Sequence, residues 1–252
     1  MDFFKQKFNS EKLQEGQIFL INKPMGWTSF QVVNKIRWHL KNTTGLKKLK
    51  VGHAGTLDPL ATGLLLICTG KKTKIISTLQ DSEKEYTGTF KLGATTPSYD
   101  LETEIDKTFN IEHITPELIE NTTKQFLGRI QQKPPLFSAL KKDGKRLYEY
   151  ARSGKAIDIA KRNVTIFKFK IIKIELPNLC FLIRCSKGTY IRSLAYDFGK
   201  AISSGAHLSA LQRTQSGGYE LKDAYTMESV LNNNSHICLL YTSPSPRDVE
   251  ES

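Results

Sequence analysis

Asp58 is the single carboxylate in the stretch Gly52-His53-Ala54-Gly55-Thr56-Leu57-Asp58-Pro59-Leu60-Ala61-Thr62-Gly63, which holds three glycines, a proline and two threonines. Such a composition demands a specific backbone path, and fixed loops on rigid strands are where catalytic groups sit. A tight turn in which Asp58 bonds its own backbone suits the same residues, so residue types alone leave both readings open. Other chemistries are excluded more firmly. The phosphate-cradling pattern G-x-x-x-x-G-K-[ST] is absent, and His53 has no second histidine at metal-ligand spacing.

The flanking elements follow from periodicity. The wholly apolar run Leu64 to Cys68 reads as a buried strand, and Gln17 to Ile21 as a shorter one before a turn at Asn22-Lys23-Pro24-Met25-Gly26. Ser29 is expected to cap a helix whose apolar face is Val32, Val33, Ile36 and Leu40, followed by a basic loop over 41–50. A helix is expected over 73–79. Tyr86, Gly88, Phe90 and Leu92 alternate with Thr87, Thr89 and Lys91, as in a strand with one wet face. Residues 95–107 read as an exposed acidic loop. Thr115-Pro116 signals a helix start running to about Phe126. Asp143-Gly144 marks a turn before a helix over 145–153. Asn163 to Leu176 and Leu179 to Cys185 form a β-hairpin around Pro177-Asn178. Ile191, Leu194, Ala195, Phe198 and Ile202 fall at helical spacing over 189–203, and final strands follow at 208–213 and 219–221. Strands and helices without regular alternation predict an α+β fold, a mixed, mainly antiparallel sheet flanked by helices and loops.

The 252-residue chain carries 37 Lys and Arg against 25 Asp and Glu, a formal charge of +12 that points to polyanionic partners as readily as to solubility. The cations are clustered: Lys47, Lys48 and Lys50; Lys71, Lys72 and Lys74; Lys141, Lys142, Lys145 and Arg146; Lys161 and Arg162. None of Cys68, Cys180, Cys185 and Cys238 forms a C-x-x-C pair, and Cys180 and Cys185 should face opposite sides of their strand. Reduced thiols, a polar N-terminus and no apolar run near the roughly 20 residues that span a bilayer predict a soluble, cytoplasmic protein.

The Asp58 segment resembles the catalytic motif of the pseudouridine synthases. Its G-H-x-G-x-L-D-P-x-A-T-G form is that of the TruB family, the bacterial tRNA pseudouridine-55 synthases, rather than the shorter G-R-L-D form of families acting on ribosomal RNA. Lys23-Pro24-x-Gly26-Trp27-Thr28-Ser29, Glu85-Tyr86 with Leu92-Gly93, Cys185-Ser186-Lys187-Gly188-Thr189-Tyr190-Ile191-Arg192, and Gly205-Ala206-His207 with Leu211 and Arg213 resemble the remaining family motifs, in order, from about Gly16 to Tyr225. The resemblance implies the pseudouridine synthase fold and a T-loop uridine of tRNA as substrate. In such enzymes the N1–C1′ bond is broken, the base turns while bound, and C5 is joined to C1′. A carboxylate suits this by attack at C1′ or C6, or by taking a proton at C2′; the sequence does not choose.

By the resemblance, Asp58 is the nucleophile, Tyr86 stacks on the extruded base and helps remove the C5 proton, and Arg192 pairs with the catalytic aspartate. Physical reasoning adds a check on Arg192. A cation in the first turn of a helix is disfavoured by ~0.3–1 kcal/mol, so a nearby carboxylate is expected. His53, Tyr190, Leu211 and Lys23 are the expected substrate-binding positions, with Lys23 and Pro24 shaping the loop. The T arm of tRNA is the expected partner of a monomer that needs no metal, organic cofactor, membrane or obligate protein partner. A same-fold synthase with another RNA target and a non-catalytic tRNA chaperone are the competing readings.

Residues 1–15 are expected to form an N-terminal extension and 16–235 the catalytic domain. Many relatives carry a further C-terminal RNA-binding domain, for which there is little room after Tyr225. Residues 236–252 do not look like the family; they resemble translated sequencing-adapter read-through and are expected to be disordered and without function.

Overall fold

The computed structural model describes residues 8–138, 140–153 and 157–232. The tail expected from 236 onward lies outside the described residues. The chain divides into two compact units. The first is built from residues up to Pro59, Gly63–Gln80, and the segment from Tyr219 on. It contains α1 (Ser10–Glu15), β1 (Ile18–Lys23), α2 (Ser29–Thr44), β2 (Val51–Ala54), β3 (Thr62–Thr69), a 3₁₀ turn (Gly70–Ile75) and α3 (Ile76–Gln80).

The second unit is Asp81–Gly218 with Leu60–Thr62. It carries β4 (Lys84–Leu92), β5 (Ala94–Thr95), β6 (Lys107–Thr108), α4 (Pro116–Lys124), β7 (Gly128–Gln132), the hairpin of β8 (Lys141–Lys142) and β9 (Lys145–Arg146), and α5 (Leu147–Arg152). The long hairpin of β10 (Arg162–Glu175) and β11 (Asn178–Cys185), then α6 (Ile191–Ala201) and β12 (Ala206–Ser216), complete it. The chain re-enters the first unit with β13 (Tyr219–Glu220), β14 (Tyr225–Thr226) and α7 (Met227–Asn232).

In the first unit β1 lies between β3, antiparallel, and β14, parallel, while β2 pairs with the other edge of β3. β3 is buried from Gly63 to Thr69, as its unbroken apolar run requires. Ile18, Leu20, Ala54, Leu64, Leu66 and Cys68 form a core layer against which Ile76 and Leu79 pack. In the second unit β12, β4, β11, β10 and β7 run antiparallel in that order. Phe90, Phe126, Phe169, Phe181 and Phe198 form an aromatic core there, the closest rings 4.4 Å apart. The architecture is α+β with a mixed, mainly antiparallel sheet, as the periodicities predict.

Differences from expectation are local. Thr28, not Ser29, caps α2, through a capping box with Gln31, and the helix runs four residues into the expected basic loop, to Thr44. The helix expected over 73–79 is split into a 3₁₀ turn and α3. The helix expected from Lys145 starts at Leu147, because Lys145 and Arg146 pair across the Asp143-Gly144 turn, where both central residues have positive φ. Cys180 is half-buried and Cys185 buried, on opposite faces of β11, and both are free thiols, as is Cys68.

The expected exposed acidic loop is a correction. Its first half is buried: Thr95, Thr96, Ser98 and Asp100 are each at most 6% exposed. Polarity alone suggested solvent, but these side chains satisfy one another. Thr96 Oγ1 donates to Asp100 O (2.6 Å) and Ser98 Oγ to the same carbonyl (3.2 Å), while Glu102 N donates to Asp100 Oδ1 (3.0 Å).

Candidate active site

The first unit supplies Asp58, and the local chain explains how it is held. Gly55 and Gly63 both have positive φ (93° and 99°), which places glycine at the two bends on either side of the aspartate. Between them, Leu57 and Pro59 are pinned. Ser29, released from capping by Thr28 and 2% exposed, accepts from Leu57 N (2.9 Å) and donates to Leu57 O (3.0 Å). Pro59 O accepts from Gly26 N (2.9 Å) and from Lys23 Nζ (3.2 Å). Both neighbours of Asp58 are thus anchored to the stretch from Lys23 to Ser29, and the half-buried Asp58 is the side chain presented between the anchors.

Lys23, expected among the substrate-binding positions, is fully buried at the end of β1. Its ammonium donates to Pro24 O (3.0 Å) and Trp27 O (2.6 Å) as well as to Pro59 O. Three protons meet three carbonyls, so this lysine braces the loop from within. His53 lies half-buried in β2, in register with Ile67 of β3, on the strand that leads into the Asp58 loop.

Tyr86, Tyr190, Arg192 and Leu211 belong to the second unit. Tyr86, 9% exposed on β4, stands opposite Arg213 of β12, and Gly88, two residues on, stands opposite Leu211. Directly opposed residues share a face, so Tyr86, Leu211 and Arg213 line one side of this pair of strands. Arg213 is fully buried, beyond what the motif match indicated.

Tyr190 is the N-cap residue of α6 and makes no side-chain cap. Gln132, 1% exposed, clamps it instead: Tyr190 N donates to Gln132 Oε1 (2.8 Å), and Gln132 Nε2 donates to Tyr190 O (3.0 Å). Ser193 Oγ adds a bond to Lys133 O (2.8 Å). The first turn of α6 is thereby fixed to the end of β7.

Arg192 sits in that first turn with its side chain 4% exposed. The nearby carboxylate demanded by the helix dipole is supplied by Asp100: Oδ2 lies 3.6 Å from Arg192 Nε, and Nη1 donates to Ser98 O (3.3 Å). Tyr99, between these two partners, has φ 65° and stacks on Tyr196 of α6 with ring centroids 4.3 Å apart. A left-handed tyrosine is strained backbone, held here by the stack and by Leu208 N donating to Tyr99 O (2.9 Å). Burial pushes the Tyr99 hydroxyl up to about 12, so it stays protonated at neutral pH.

Asp100 and Gln132 are the positioning residues that sequence reasoning missed. For Asp100 a signal existed in the small hydroxyl residues packed around one aspartate, Thr95, Thr96, Ser98 and Thr103. Gln132 carried none. Among the described residues no group of three or more His, Cys, Asp or Glu is placed to hold a metal ion.

Comparison with known proteins shows the family. Residues 41–191 match the model of the TruB family pseudouridylate synthase N-terminal domain, and 192–237 that of the tRNA pseudouridylate synthase B C-terminal domain. The tRNA pseudouridine synthase B of Flavobacterium johnsoniae is 65% identical over 215 residues, covering 85% of this chain and 94% of that protein. The enzyme of the same name from Phocaeicola vulgatus is 53% identical, covering 86% of this chain and 92% of its own.

Among solved structures, a Cbf5-Nop10-Gar1 complex matches with a TM-score of 0.67 at 27% identity, over 92% of this chain and 61% of that one. An H/ACA RNP bound to a substrate RNA containing 2′-deoxyuridine matches with a TM-score of 0.64 at 26% identity, over 87% of this chain and 53% of that one. The chain belongs to the TruB family of pseudouridylate synthases.

Proposed function

We infer that the protein converts uridine-55 in the T loop of tRNA to pseudouridine, with Asp58 as the essential carboxylate. What carries this reading is the coincidence of two observations. The Asp58 loop is pinned on both sides of its single carboxylate, and the chain aligns over 94% of a tRNA pseudouridine synthase B at 65% identity.

The reaction is an isomerisation. The N1–C1′ bond breaks, C5 bonds to C1′, C5 gives up its proton and N1 gains one. A uridine in a folded loop exposes C1′ and C5 only after it leaves the stack, at a cost of a few kcal/mol. Stacking on Tyr86 and contacts from His53, Tyr190 and Leu211 offset that cost, while the clustered lysines hold the RNA backbone.

By the family resemblance Arg192 is the cation assigned to the catalytic carboxylate, and Asp100 fixes the orientation of its guanidinium. Lys23 acts through the loop that its three carbonyl bonds brace. The reading further assigns the T arm as the bound element, a monomer as the working form and the cytoplasm as its location. No helix among the described residues is long and apolar enough to cross a membrane.

The test is tritium release from a tRNA transcript labelled at uridine C5. The wild type should release tritium, and changing the T-loop uridine or introducing Asp58→Asn should abolish release while tRNA binding persists. Binding without release by the wild type would overturn the assignment.

A further inference from the structure

From Gly16 to Leu57 the chain contains no Asp or Glu, although it carries Lys23, Lys35, Arg37, Lys41, Lys47, Lys48 and Lys50. Most of this acid-free segment is α2 and its flanks, and it includes both tryptophans of the protein, Trp27 and Trp38. Trp38 is 58% exposed. Together with Gln31, Asn34, Lys35, Arg37, Lys41 and Asn42 the two indoles line a surface groove of about 710 Å³.

The cations of the groove are available for a ligand. Lys35 Nζ stands 5.2 Å from the Trp38 ring centroid, and Arg37 donates to the neutral amide of Asn34 (2.5 Å). Among the described residues no carboxylate pairs with Lys35, Arg37 or Lys41. Arg37 and Lys41 also line a second groove, of about 630 Å³, whose other walls include Lys47, Lys48 and Lys74. The two grooves therefore form one basic tract with indole faces at one end.

The tract is tied to the catalytic loop, because Trp27 O accepts from the same Lys23 ammonium that holds Pro59 O. From Ser29 to Lys41 it extends about 18 Å along α2 at the helical rise of ~1.5 Å per residue, with Trp27 just before the helix.

We propose that this face of α2 binds unpaired nucleotides of the substrate RNA that lie outside the loop presenting the target uridine, with bases stacking on Trp38 and Trp27 and phosphates meeting Lys35, Arg37 and Lys41. An exposed indole flanked by uncompensated cations is the chemistry that takes single strands without regard to sequence: the π-face accepts any base and the ammonium groups track the backbone. An acidic protein would match the charge but would leave the indole faces without planar partners. The proposal rests on the tRNA-modifying reading above and adds a second binding surface to it.

Because both tryptophans lie on this face, intrinsic fluorescence reports its occupancy directly. The experiment titrates the full chain with a single-stranded oligoadenylate, which contains no uridine and so cannot engage the isomerisation chemistry. Quenching is expected, with log K falling as log salt rises. The double variant K35Q/R37Q, which keeps both fluorophores and alters only surface residues of α2, should flatten that salt slope by ~0.7 for each cation removed. Anisotropy of a labelled oligoadenylate should show about tenfold weaker binding by Trp38→Ala.

No quenching, an unchanged salt slope in K35Q/R37Q, or equal quenching by polyglutamate would overturn the proposal, the last by marking the face as a plain acidic-ligand surface. Tritium release by the wild type from an isolated T-arm hairpin, measured in parallel, keeps the two claims apart. Release without quenching rejects the surface alone, and quenching without release rejects the catalytic reading on which its biological role depends.

Discussion

A buried ammonium is expensive unless its protons are taken up, and at Lys23 the acceptors are the carbonyls of Pro24, Trp27 and Pro59. Replacing it with methionine preserves volume but leaves three carbonyls without their shared donor. Lys23→Met should lower stability by about 3 kcal/mol in urea unfolding. It should also lower kcat for tritium release more than it raises KM, because the loop that presents Asp58 loosens. Lys23→Arg should not rescue it, since a planar fork cannot replace three convergent N–H bonds.

Asp100 makes the complementary case. Asp100→Ala leaves the Arg192 guanidinium, 4% exposed, without its carboxylate from the 95–107 segment. A stability loss of about 3 kcal/mol and a fall in kcat with tRNA affinity retained are the expected outcomes. An unchanged kcat would separate Asp100 from the work of Arg192.

At the scale of elements, α2 shows how one cap releases a neighbour for another task. With Thr28 in the capping box, Ser29 is free to bond both backbone groups of Leu57. Thr28→Ala should cost about 1 kcal/mol, read as a lower Tm. Ser29→Ala should leave the helix intact and lower kcat, because its hydroxyl holds the loop that carries Asp58. A Tm loss in Ser29→Ala equal to that of Thr28→Ala would reverse this division of labour. α6 has no side-chain cap, and Gln132 of β7 does that work through the backbone of Tyr190. The strands and most helices were legible because apolar periodicity and turn residues act over a few positions: Val32, Val33, Ile36 and Leu40 are buried as their spacing requires. The 95–107 loop was misjudged because its polar residues are satisfied by one another, which hydrophobicity cannot register.

For the whole molecule, the +12 charge makes tRNA affinity a salt-dependent quantity, and binding should weaken by orders of magnitude between low and physiological salt. Stability should also respond to pH through the half-buried Asp197 and the buried Lys84. Burial, partly offset by Lys200 and Lys161, raises the Asp197 carboxyl from 3.8 to about 6. Between those values the folded chain binds more protons than the unfolded one, so stability falls as pH rises through that window. Asp197→Asn should flatten this decline and, after discounting for solvent that still reaches the carboxylate, raise Tm at pH 7 by ~2–4 °C. Lys84 is pushed the other way, from 10.5 to about 8, by burial and then by the charge of Arg213. There the unfolded chain binds more protons, so stability rises between pH 8 and 10.5. A thermal-melt series across pH checks both slopes.

The sequence by itself determined the elements, the basic surplus and the loop around Asp58, because helix caps, strand alternation and glycine bends are written in neighbouring residues. It also required a carboxylate near Arg192, for which the family resemblance offered Asp58 and gave no hint of Asp100. Tertiary structure decided that the carboxylate from the 95–107 segment is Asp100, whose neighbour Ser98 lies 94 positions from Arg192. It decided too that Lys23 points inward and that Gln132 fastens α6. These choices depend on which strands become neighbours and how each buried charge or amide finds its partners, and topology sets both.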